Sequence, residues 1–255
     1  MHFARAYYEA QVTGSFLAAR GVLPLLFAEF RPASIVDVGC GTGAWLKAAK
    51  LLGVATVLGL DREDVPVDLL AIGSQEFRAA DLACQLSAMP CRFDLAICLE
   101  VAAHLPPERA PTFIRELTQL ADVVLFSAAI PHQGGMCHVN EQFPSYWIAR
   151  FRDAGMRCFD FLRPRIWDFA DLPVAYRQNI LVFARDREFP APVTHPATAD
   201  RVHPGLWAER NGPSGVLLTA RRSLPPKLQY RFTDLRQRIS HLSLFGCPSV
   251  RQNRS

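Results

Sequence analysis

Residues 35–45, IVDVGCGTGAW, place three alternate glycines directly after an apolar run that contains one aspartate. Glycines at such a turn let a ligand approach the backbone closely, as in nucleotide-binding strand–turn–helix units. Asp37 stands two residues before the first glycine, Gly39. A carboxylate there repels a pyrophosphate and favours a ligand with positive charge near the turn. S-adenosylmethionine, which carries an ammonium and a sulfonium, fits this pattern.

Two more acidic residues follow short apolar runs. Asp61 ends the run VLGLD, where its two oxygens are placed to accept hydrogen bonds from both hydroxyls of a ribose. Asp81, in FRAADL, is placed to accept a hydrogen bond from an adenine amino group, although such a residue is also a common helix cap. Both acids favour an adenosine ligand, but NAD sites share the ribose-binding acid.

The loop after the fifth apolar run contains His132 and His138, with Glu141 three residues after the second histidine. Methyl transfer to a hydroxyl requires a base that removes its proton, and the pKa of histidine lies near neutrality. Two adjacent glycines between the histidines allow the loop to close over a substrate. We therefore expect catalytic roles for these three residues, with His104 as a rival base.

The same residues also have structural interpretations. Asn140 is placed to cap a helix that holds Tyr146 and Trp147, which would make the loop an ordinary helix entry. His104 precedes two prolines and fits a simple loop position. A cluster of arginine and aromatic residues fits either an anionic or sugar-like acceptor or the packing of a sheet edge. The cluster comprises Arg163, Arg165, Trp167, Tyr176 and Arg177.

Short apolar runs alternate with helical patterns, which predicts a parallel sheet covered on both faces. The expected strands are 34–38, 56–60, 77–80, 95–99 and 123–127, followed by 158–162 and 179–184, which pair like a hairpin. The expected helices are one or two within 3–29, then 44–52, 64–70, 107–120 and 143–154. The fold class is thus α/β, a doubly wound, Rossmann-like, mostly parallel seven-stranded sheet.

The composition changes near residue 188, after which sixteen residues contain four prolines. We therefore assign residues 1–188 to one domain with an N-terminal helical segment. Residues 189–255 are assigned to a Pro-rich linker and a basic C-terminal extension with helical spacing at 215–244. Residues 216–255 carry a net charge of +7, which leaves −3 on the rest of the chain. A basic tail of this kind can bind nucleic acid or an anionic membrane surface, but it is more often simply solvated.

The remaining composition is that of a globular protein, with half of the residues hydrophobic and a fifth charged. No uninterrupted apolar run approaches the roughly 18 residues that span a bilayer, and the N-terminus lacks a signal-peptide core. We therefore expect a cytoplasmic protein without a membrane span. The seven cysteines form no C-x-x-C pair, which indicates reduced thiols and neither a zinc site nor a disulfide framework.

Four motifs, IVDVGCGTG, VLGLD, FRAADL and FDLAICLEVAAHLP, resemble in order and spacing those of the class I S-adenosylmethionine-dependent methyltransferases. The resemblance covers about residues 32–184. The segments HVNEQF, YW and YRQN are similar to a bacterial subgroup of uncharacterised methyltransferases, whose members often accompany glycan or secondary-metabolite assembly enzymes. The resemblance implies a methyltransferase that uses S-adenosylmethionine.

The resemblance also implies which residues bind the cofactor. Asp37 and the glycine turn would line the methionine moiety of the cofactor, and Asp61 would hold its ribose. Asp81 and Leu82 would flank the adenine, whereas Leu99 and Glu100 would lie beside the transferred methyl group. These residues are Asp37, Gly39, Cys40, Gly41, Gly43, Asp61, Arg62, Asp81, Leu82, Leu99 and Glu100. Related families often have Glu-Val-x-Glu-His where this chain has EVAAH, so a metal ligand is missing and no metal is expected.

Several functions remain open on the residues alone. We favour methyl transfer to oxygen of a small-molecule or glycan-type acceptor with a histidine base; transfer to nitrogen, where a base matters less, is the alternative. A nucleic-acid methyltransferase is less favoured, because the acceptor loop lacks the Asn/Asp-Pro-Pro-Tyr/Phe signature of amino-methylating DNA enzymes. A non-catalytic binding module is disfavoured by the intact Asp37 and Asp61. The oligomeric state is left open, with a dimer as one option.

Overall fold

The computed structural model describes residues 5–84, 86 and 92–211. The chain divides into two compact units, Met1–Trp207 and Ala208–Ser255. The helical patches expected at 215–244 and the basic tail lie outside the described residues. The sheet and the candidate site belong to the first unit.

Seven strands form one sheet. They are β1 Ser34–Val38, β2 Thr56–Asp61, β3 Phe77–Ala79, β4 Leu95–Leu99, β5 Val123–Ser127, β6 Arg157–Phe159 and β7 Leu181–Ala184. Their order is β3-β2-β1-β4-β5-β7-β6. The first five strands pair in parallel, whereas β7 pairs antiparallel with β5 and β6. This confirms the predicted doubly wound, mostly parallel seven-stranded sheet.

Helices cover both faces of the sheet. Those described are α1 Arg5–Phe27, α2 Ala44–Leu51, α3 Ala110–Leu120, α4 Pro144–Asp153, α5 Leu162–Ile166, α6 Val174–Asn179, α7 Pro196–Ala199 and α8 Pro204–Asn211. Buried residues of α1, α2 and α5 share one core cluster, and those of α3 and α4 share the other. In β1, Ile35 belongs to the first cluster and Val36 to the second. Because strand side chains alternate, Asp37 points to the face that α1 and α2 cover.

Helix α1 is one continuous helix that runs through Pro24. By length and composition alone it is apolar enough to cross a membrane, which is weak evidence because the core helix of a soluble protein meets the same criterion. Its buried side chains, among them Ala18, Val22 and Leu26, pack in the core against α2.

The sequence reading was wrong at three elements. The helix expected at 64–70 is a 3-10 turn at Val67–Leu69. The sixth strand ends at Phe159, because Leu162 already begins α5. The last two strands pair antiparallel as expected, but α5 and α6 lie between them in the chain, so they form no hairpin.

The expected helix cap at Asn140 is also wrong. Helix α4 begins at Pro144, and the N-cap position is Phe143, whose side chain makes no cap. The carboxylate of Asp200 serves the helix start instead, because it accepts a hydrogen bond from the backbone N–H of Ser145 at 2.8 Å. The helix is therefore capped from a segment 55 residues away.

The segment expected to be an extended linker packs on the domain as far as the structure describes it. Phe189 is buried beside Phe161, with their rings stacked at 5.1 Å. Val193 forms an isolated bridge with Phe159, and α7 follows three residues later. The first compact unit accordingly runs to Trp207, and the functional division near residue 188 stays a prediction.

Candidate active site

A cavity of about 690 Å³ lies at the carboxyl ends of β1, β2 and β4. The strand order reverses between β1 and β4, and ligands of open α/β sheets bind at such a switch point. The cavity is lined by the glycine turn after β1, by the N-terminal half of α1 and by the loop after β5. Its volume lies in the range of small-molecule sites, which is about 300–1,000 Å³.

The three glycines of the turn all adopt the left-handed backbone conformation, with φ of 83° at Gly39, 54° at Gly41 and 79° at Gly43. A Cβ on Gly39 would lie 2.2 Å from Cγ2 of Val101, and one on Gly43 would lie 2.8 Å from Cγ1 of Ile72. A Cβ on Gly41 would meet nothing within 4 Å. Two glycines are therefore needed for packing, and the middle one leaves the backbone open to the cavity.

Asp37 lines the cavity with a side chain that is only 3% exposed. Within the described part of the chain we find no hydrogen bond to its carboxylate. Burial, together with the nearby Asp61, raises the pKa of Asp37 well above its usual value. A buried carboxylate without a counter-charge is costly, and a cationic group in the cavity would offset that cost.

Asp61 joins the end of β2 to the glycine turn. Its Oδ2 accepts a hydrogen bond from the backbone N–H of Gly41 at 2.6 Å, and its Oδ1 accepts one from the backbone N–H of Arg62 at 2.7 Å. Burial raises the pKa of Asp61, and these two hydrogen bonds oppose the rise. Each carboxylate oxygen retains a second lone pair, so the group can still bind a vicinal diol.

Asp81 and Leu82 line the cavity, and Asp81 stands two residues after the end of β3. The carboxylate of Asp81 also holds a local turn, since it accepts a hydrogen bond from the backbone N–H of Ala83 at 3.0 Å and contacts the thiol of Cys84 at 3.4 Å. Both interpretations made from the sequence, a ligand contact and a backbone cap, therefore remain compatible with its position.

Glu100 follows β4 in a left-handed conformation, with φ of 58°, which is uncommon for a residue other than glycine. Its backbone N–H donates to the carbonyl and to Oγ of Ser127, both at 3.0 Å. Its carboxylate accepts hydrogen bonds from Nε2 of Gln133 at 2.9 Å and from Nδ2 of Asn179 at 3.0 Å. Burial raises the pKa of Glu100, and the hydrogen bonds oppose that rise. The structure thus holds a carboxylate in a fixed position in the cavity lining.

His138 and His104 line the same cavity, with their rings in edge-to-face contact at 4.8 Å. Nδ1 of His138 lies 3.1 Å from Oε1 of Glu141. The same carboxylate accepts hydrogen bonds from the backbone N–H groups of His132 at 2.8 Å and Gly134 at 2.9 Å. Glu141 therefore orients the imidazole and fixes the loop that carries it.

The surroundings of His104 make it a poor base. Burial and the neighbouring His138 lower the pKa of His104 to about 4, so His104 is neutral near pH 7. A base with such a pKa takes up a proton poorly at neutral pH. His138 is the better placed of the two, since a carboxylate faces its other ring nitrogen.

The structure brings most, but not all, of the expected residues together. Ten of the eleven expected cofactor residues line the cavity, and Gly43 instead forms the N-cap position of α2. His132 is exposed and does not line the cavity, although its backbone joins the Glu141 cluster. Glu141 acts behind His138 and is not part of the lining.

The arginine cluster between the last two strands is structural. Arg163 is 1% exposed and forms a two-pronged ion pair with Asp160, at 2.8 Å and 2.6 Å. Arg165 pairs with Glu29 at 3.1 Å, and Arg177 donates to the carbonyl of Trp167 at 3.1 Å. None of these three arginines lines the cavity, which favours the packing interpretation of the cluster.

Sequence reasoning missed the side of the cavity formed by α1, and it named Tyr176 of α6 only as one member of the arginine and aromatic cluster. Tyr8, Gln11 and Ser15 line it from α1, and Tyr176 lines it from α6. The hydroxyls of Ser15 and Tyr176 lie 3.2 Å apart. The available signal was the spacing of 8, 11 and 15, which puts three polar-tipped residues on one face of an otherwise apolar helix.

Comparisons with known proteins agree with this geometry. A family model described as a methyltransferase domain matches residues 8–165. The magnesium-protoporphyrin O-methyltransferase of a Synechocystis strain is 34% identical over 131 residues, which are 48% of this chain and 52% of that protein. A ubiquinone biosynthesis O-methyltransferase of Pseudomonas putida is 37% identical over 78 residues, 28% of this chain and 33% of that protein. The chain thus spans about half or less of the curated relatives it matches.

Solved structures show the same fold. An O-methyltransferase family protein from Burkholderia thailandensis superimposes with a TM-score of 0.56 and 14% identity, over 72% of this chain and 60% of that chain. The magnesium protoporphyrin IX methyltransferase of Synechocystis, solved with bound S-adenosylhomocysteine (SAH), superimposes with a TM-score of 0.50 and 22% identity. The match covers 68% of this chain and 84% of that chain. The family match covers more than half of the sequence. This chain therefore belongs to the methyltransferase-domain family and has the class I fold of S-adenosylmethionine-dependent methyltransferases.

Proposed function

We propose that this chain transfers the methyl group of S-adenosylmethionine to a hydroxyl oxygen of a small-molecule or glycan-type acceptor, with His138 as the base. The observation that carries the proposal is that the His138–Glu141 pair and the buried Asp37 serve one cavity. The names of the relatives support oxygen as the acceptor atom, since both curated relatives are O-methyltransferases.

The residues of the cavity fit the cofactor. Asp37 offers its unpaired buried charge to the positive methionine end, and Gly41 leaves the backbone open beside it. Asp61 is placed to bind the ribose, with Asp81 and Leu82 next to the adenine. When bound, the cofactor supplies an electrophilic methyl on sulfur, whose transfer forms the O–CH₃ bond, breaks the S–CH₃ bond and leaves a neutral thioether.

His138 is the residue that takes the proton of the acceptor hydroxyl. If its Nδ1–H donates to Glu141, then Nε2 carries the lone pair that accepts the proton. The carboxylate of Glu141, held by two backbone N–H groups, stabilises the imidazolium that forms. Gly135 leaves room at this nitrogen, because a Cβ there would lie 2.3 Å from Nε2.

Binding and turnover test the proposal separately. Calorimetry with SAH is expected to show binding, and its absence at millimolar SAH contradicts the cofactor. Turnover is followed with labelled S-adenosylmethionine and small molecules extracted from the source cells. We expect His138→Ala to lower turnover about 10²- to 10⁴-fold with unchanged SAH affinity. His132→Ala is the matched control, because that side chain lies outside the cavity, and it is expected to stay near normal.

The alternative acceptor atom is nitrogen. A solved amino pentose methyltransferase from Micromonospora echinaspora has a TM-score of 0.50 to this chain at 16% identity, over 72% of this chain and 98% of that chain. Near-normal turnover of His138→Ala would favour nitrogen, since an uncharged amine needs no base before it attacks. A cytoplasmic location, a separate role for residues 189–255 and the absence of a metal stay predictions.

A further inference from the structure

The cavity is rich in carboxylates and has little free positive charge. Its lining contains Asp37, Asp61, Asp81 and Glu100, and Arg62 is the one lysine or arginine among the described lining residues. The guanidinium of Arg62 is already paired with Asp64, from Nε to Oδ1 at 2.9 Å and from a terminal nitrogen to Oδ2 at 3.2 Å. An anionic acceptor group therefore finds these carboxylates and no unpaired lysine or arginine among the described lining residues.

Glu100 is the acid that is expected beside the methyl group of the cofactor, and it is therefore the one nearest to an acceptor. Asp37 lies near the end of β1, Asp61 ends β2 and Asp81 follows β3, and these three strands form the half of the sheet expected to hold the cofactor. Glu100 stands after β4, next to β5, whose loop carries the base His138. The strand order therefore puts Glu100 between the cofactor side and the proposed base.

The amides around Glu100 are arranged to keep it a hydrogen-bond acceptor. Oε1 of Gln133 accepts hydrogen bonds from the backbone N–H of Ile130 at 3.2 Å and from Nδ2 of Asn179 at 2.8 Å. This fixes the orientation of the Gln133 amide, so that its Nε2 donates to Glu100. Each carboxylate oxygen of Glu100 already accepts one hydrogen bond, and its remaining lone pairs can accept hydrogen bonds from further donors.

A second unsatisfied acceptor lies beside the carboxylate. Asn179 is 3% exposed, and its Oδ1 is buried with no hydrogen-bond partner among the residues described. Its Nδ2 is 3.0 Å from Oε1 of Glu100. Buried polar atoms are normally paired, so the polar atoms around Glu100 have a surplus of acceptors. Asn179 does not itself line the cavity, so the acceptor that a ligand meets there is the Glu100 carboxylate.

We propose that the Glu100 carboxylate, held by Gln133 and Asn179, receives an N–H or O–H group at the methyl-transfer point, so that the acceptor is neutral or cationic there. Acceptors that present a carboxylate or a phosphate at the reacting end are excluded. This inference rests on the proposed function, since it assumes that the methyl is delivered beside β4. It separates the chain from its magnesium-protoporphyrin relative, because protoporphyrin presents carboxylates.

The first test compares two probes of the cofactor site by calorimetry. Sinefungin has an amine-bearing carbon where S-adenosylmethionine has its S-methyl group, whereas SAH has no group there. We expect sinefungin to bind about tenfold more tightly than SAH, which corresponds to about 1.4 kcal/mol. The preference should disappear in Glu100→Gln and persist in the control Glu108→Gln, an exposed residue outside the cavity.

The outcomes separate this inference from the function on which it rests. Failure of both probes to bind contradicts the proposed cofactor. Binding of both with equal affinity in the wild type, or an unchanged preference in Glu100→Gln, overturns the Glu100 subsite alone. The wild-type comparison does not depend on the variant, so it decides the question even if Glu100→Gln fails to fold.

The second test identifies the kind of product. Methylation of a carboxylate gives a methyl ester, which mild alkali hydrolyses to volatile methanol, whereas ethers and N-methyl groups resist this treatment. After labelled methyl transfer to extracted small molecules, we expect the label to stay in the non-volatile fraction. Release of the label as methanol, or a labelled product that carries phosphate next to the methyl group, would overturn the proposal.

Discussion

Asp37 is the residue at which stability and ligand binding oppose each other most directly. Its folded-state pKa is raised by burial, so folding favours the protonated side chain. As pH rises from the unfolded pKa through the folded pKa, the ionised carboxylate costs the cofactor-free protein an increasing part of its stability. A bound cation reverses the preference, because it favours the ionised form. The ionised Asp37 carboxylate therefore destabilises the cofactor-free protein and favours the binding of a cationic ligand.

We therefore predict that Asp37→Asn stabilises the cofactor-free protein and weakens cofactor binding. Near pH 7 its thermal midpoint should rise, while its affinity for S-adenosylmethionine should fall at least about tenfold, or about 1.4 kcal/mol. In the wild type the affinity should increase with pH as Asp37 releases its proton, and in the variant this dependence should be lost. Calorimetry and thermal unfolding across pH measure both effects.

Asp168→Asn serves as the control for this prediction, because Asp168 is exposed and does not line the cavity. It should change neither the thermal midpoint nor the affinity. A variant at Asp37 that binds the cofactor as the wild type does would show that this carboxylate is not the counter-charge of the ligand.

At the scale of elements, the glycine turn is fixed by what packs on it. Gly39 and Gly53 both have a positive φ, at 83° and 95°. A Cβ on Gly39 would lie 2.2 Å from Val101, whereas one on Gly53 would meet nothing within 4 Å. The pair therefore distinguishes backbone strain, which the two positions share, from a clash that only the first one has.

We predict that Gly53→Ala costs about 1–2 kcal/mol of unfolding free energy, the price of a left-handed L-residue. Gly39→Ala should cost more than this, and it should also weaken SAH binding because Val101 lines the cavity. Chemical denaturation and calorimetry measure the two quantities. Equal destabilisation by both substitutions, with unchanged binding, would contradict the role given to the Gly39–Val101 contact.

The conformation of the loop after β5 is also fixed by a contact, in this case by the side chain of Glu141. Glu141 reaches back to the backbone of His132 and Gly134 and to the ring of His138, so one carboxylate shapes the loop and orients the proposed base. The H-x-x-E spacing suggested this pair, but it did not show that His132 would contribute its backbone while its ring stays outside the cavity.

At the scale of the whole molecule, Arg163 ties distant segments to the sheet. It pairs with Asp160 and donates to the carbonyls of Gln178 at 3.3 Å and Ala199 at 3.1 Å. It therefore links the start of α5, the end of α6 and the segment after residue 189. The last of these is the part of the chain whose prolines suggested a linker.

We predict that Arg163→Met lowers the unfolding free energy by about 3–5 kcal/mol, because it leaves Asp160 without its partner in the interior. The affinity for SAH should not change, since Arg163 does not line the cavity. Arg165→Met is the matched control: its pair with Glu29 is partly exposed and should contribute about 0–1 kcal/mol. A loss of SAH affinity in folded Arg163→Met would indicate a role in the site.

The sequence by itself determined the sheet and much of the cofactor side. Apolar runs and glycine turns are local signals, and parallel strands bring the residues at their carboxyl ends to one edge, so Asp37, Asp61 and Glu100 could be placed together in advance. The predicted fold was confirmed, apart from the helix expected at 64–70, the hairpin expected at the end of the sheet and the end of the sixth strand. The cofactor roles of these residues stay predictions.

Only the tertiary structure decided which further residues line the cavity. The cavity wall formed by Tyr8 and Tyr176 joins segments far apart in the chain, and no local pattern states that two such segments will meet. The arginines looked equally suited to a ligand, yet Arg163 is buried against Asp160. Whether a side chain meets a ligand or another side chain depends on the distances between chain segments. Packing of the whole fold sets these distances, and the spacing of residues in the sequence does not.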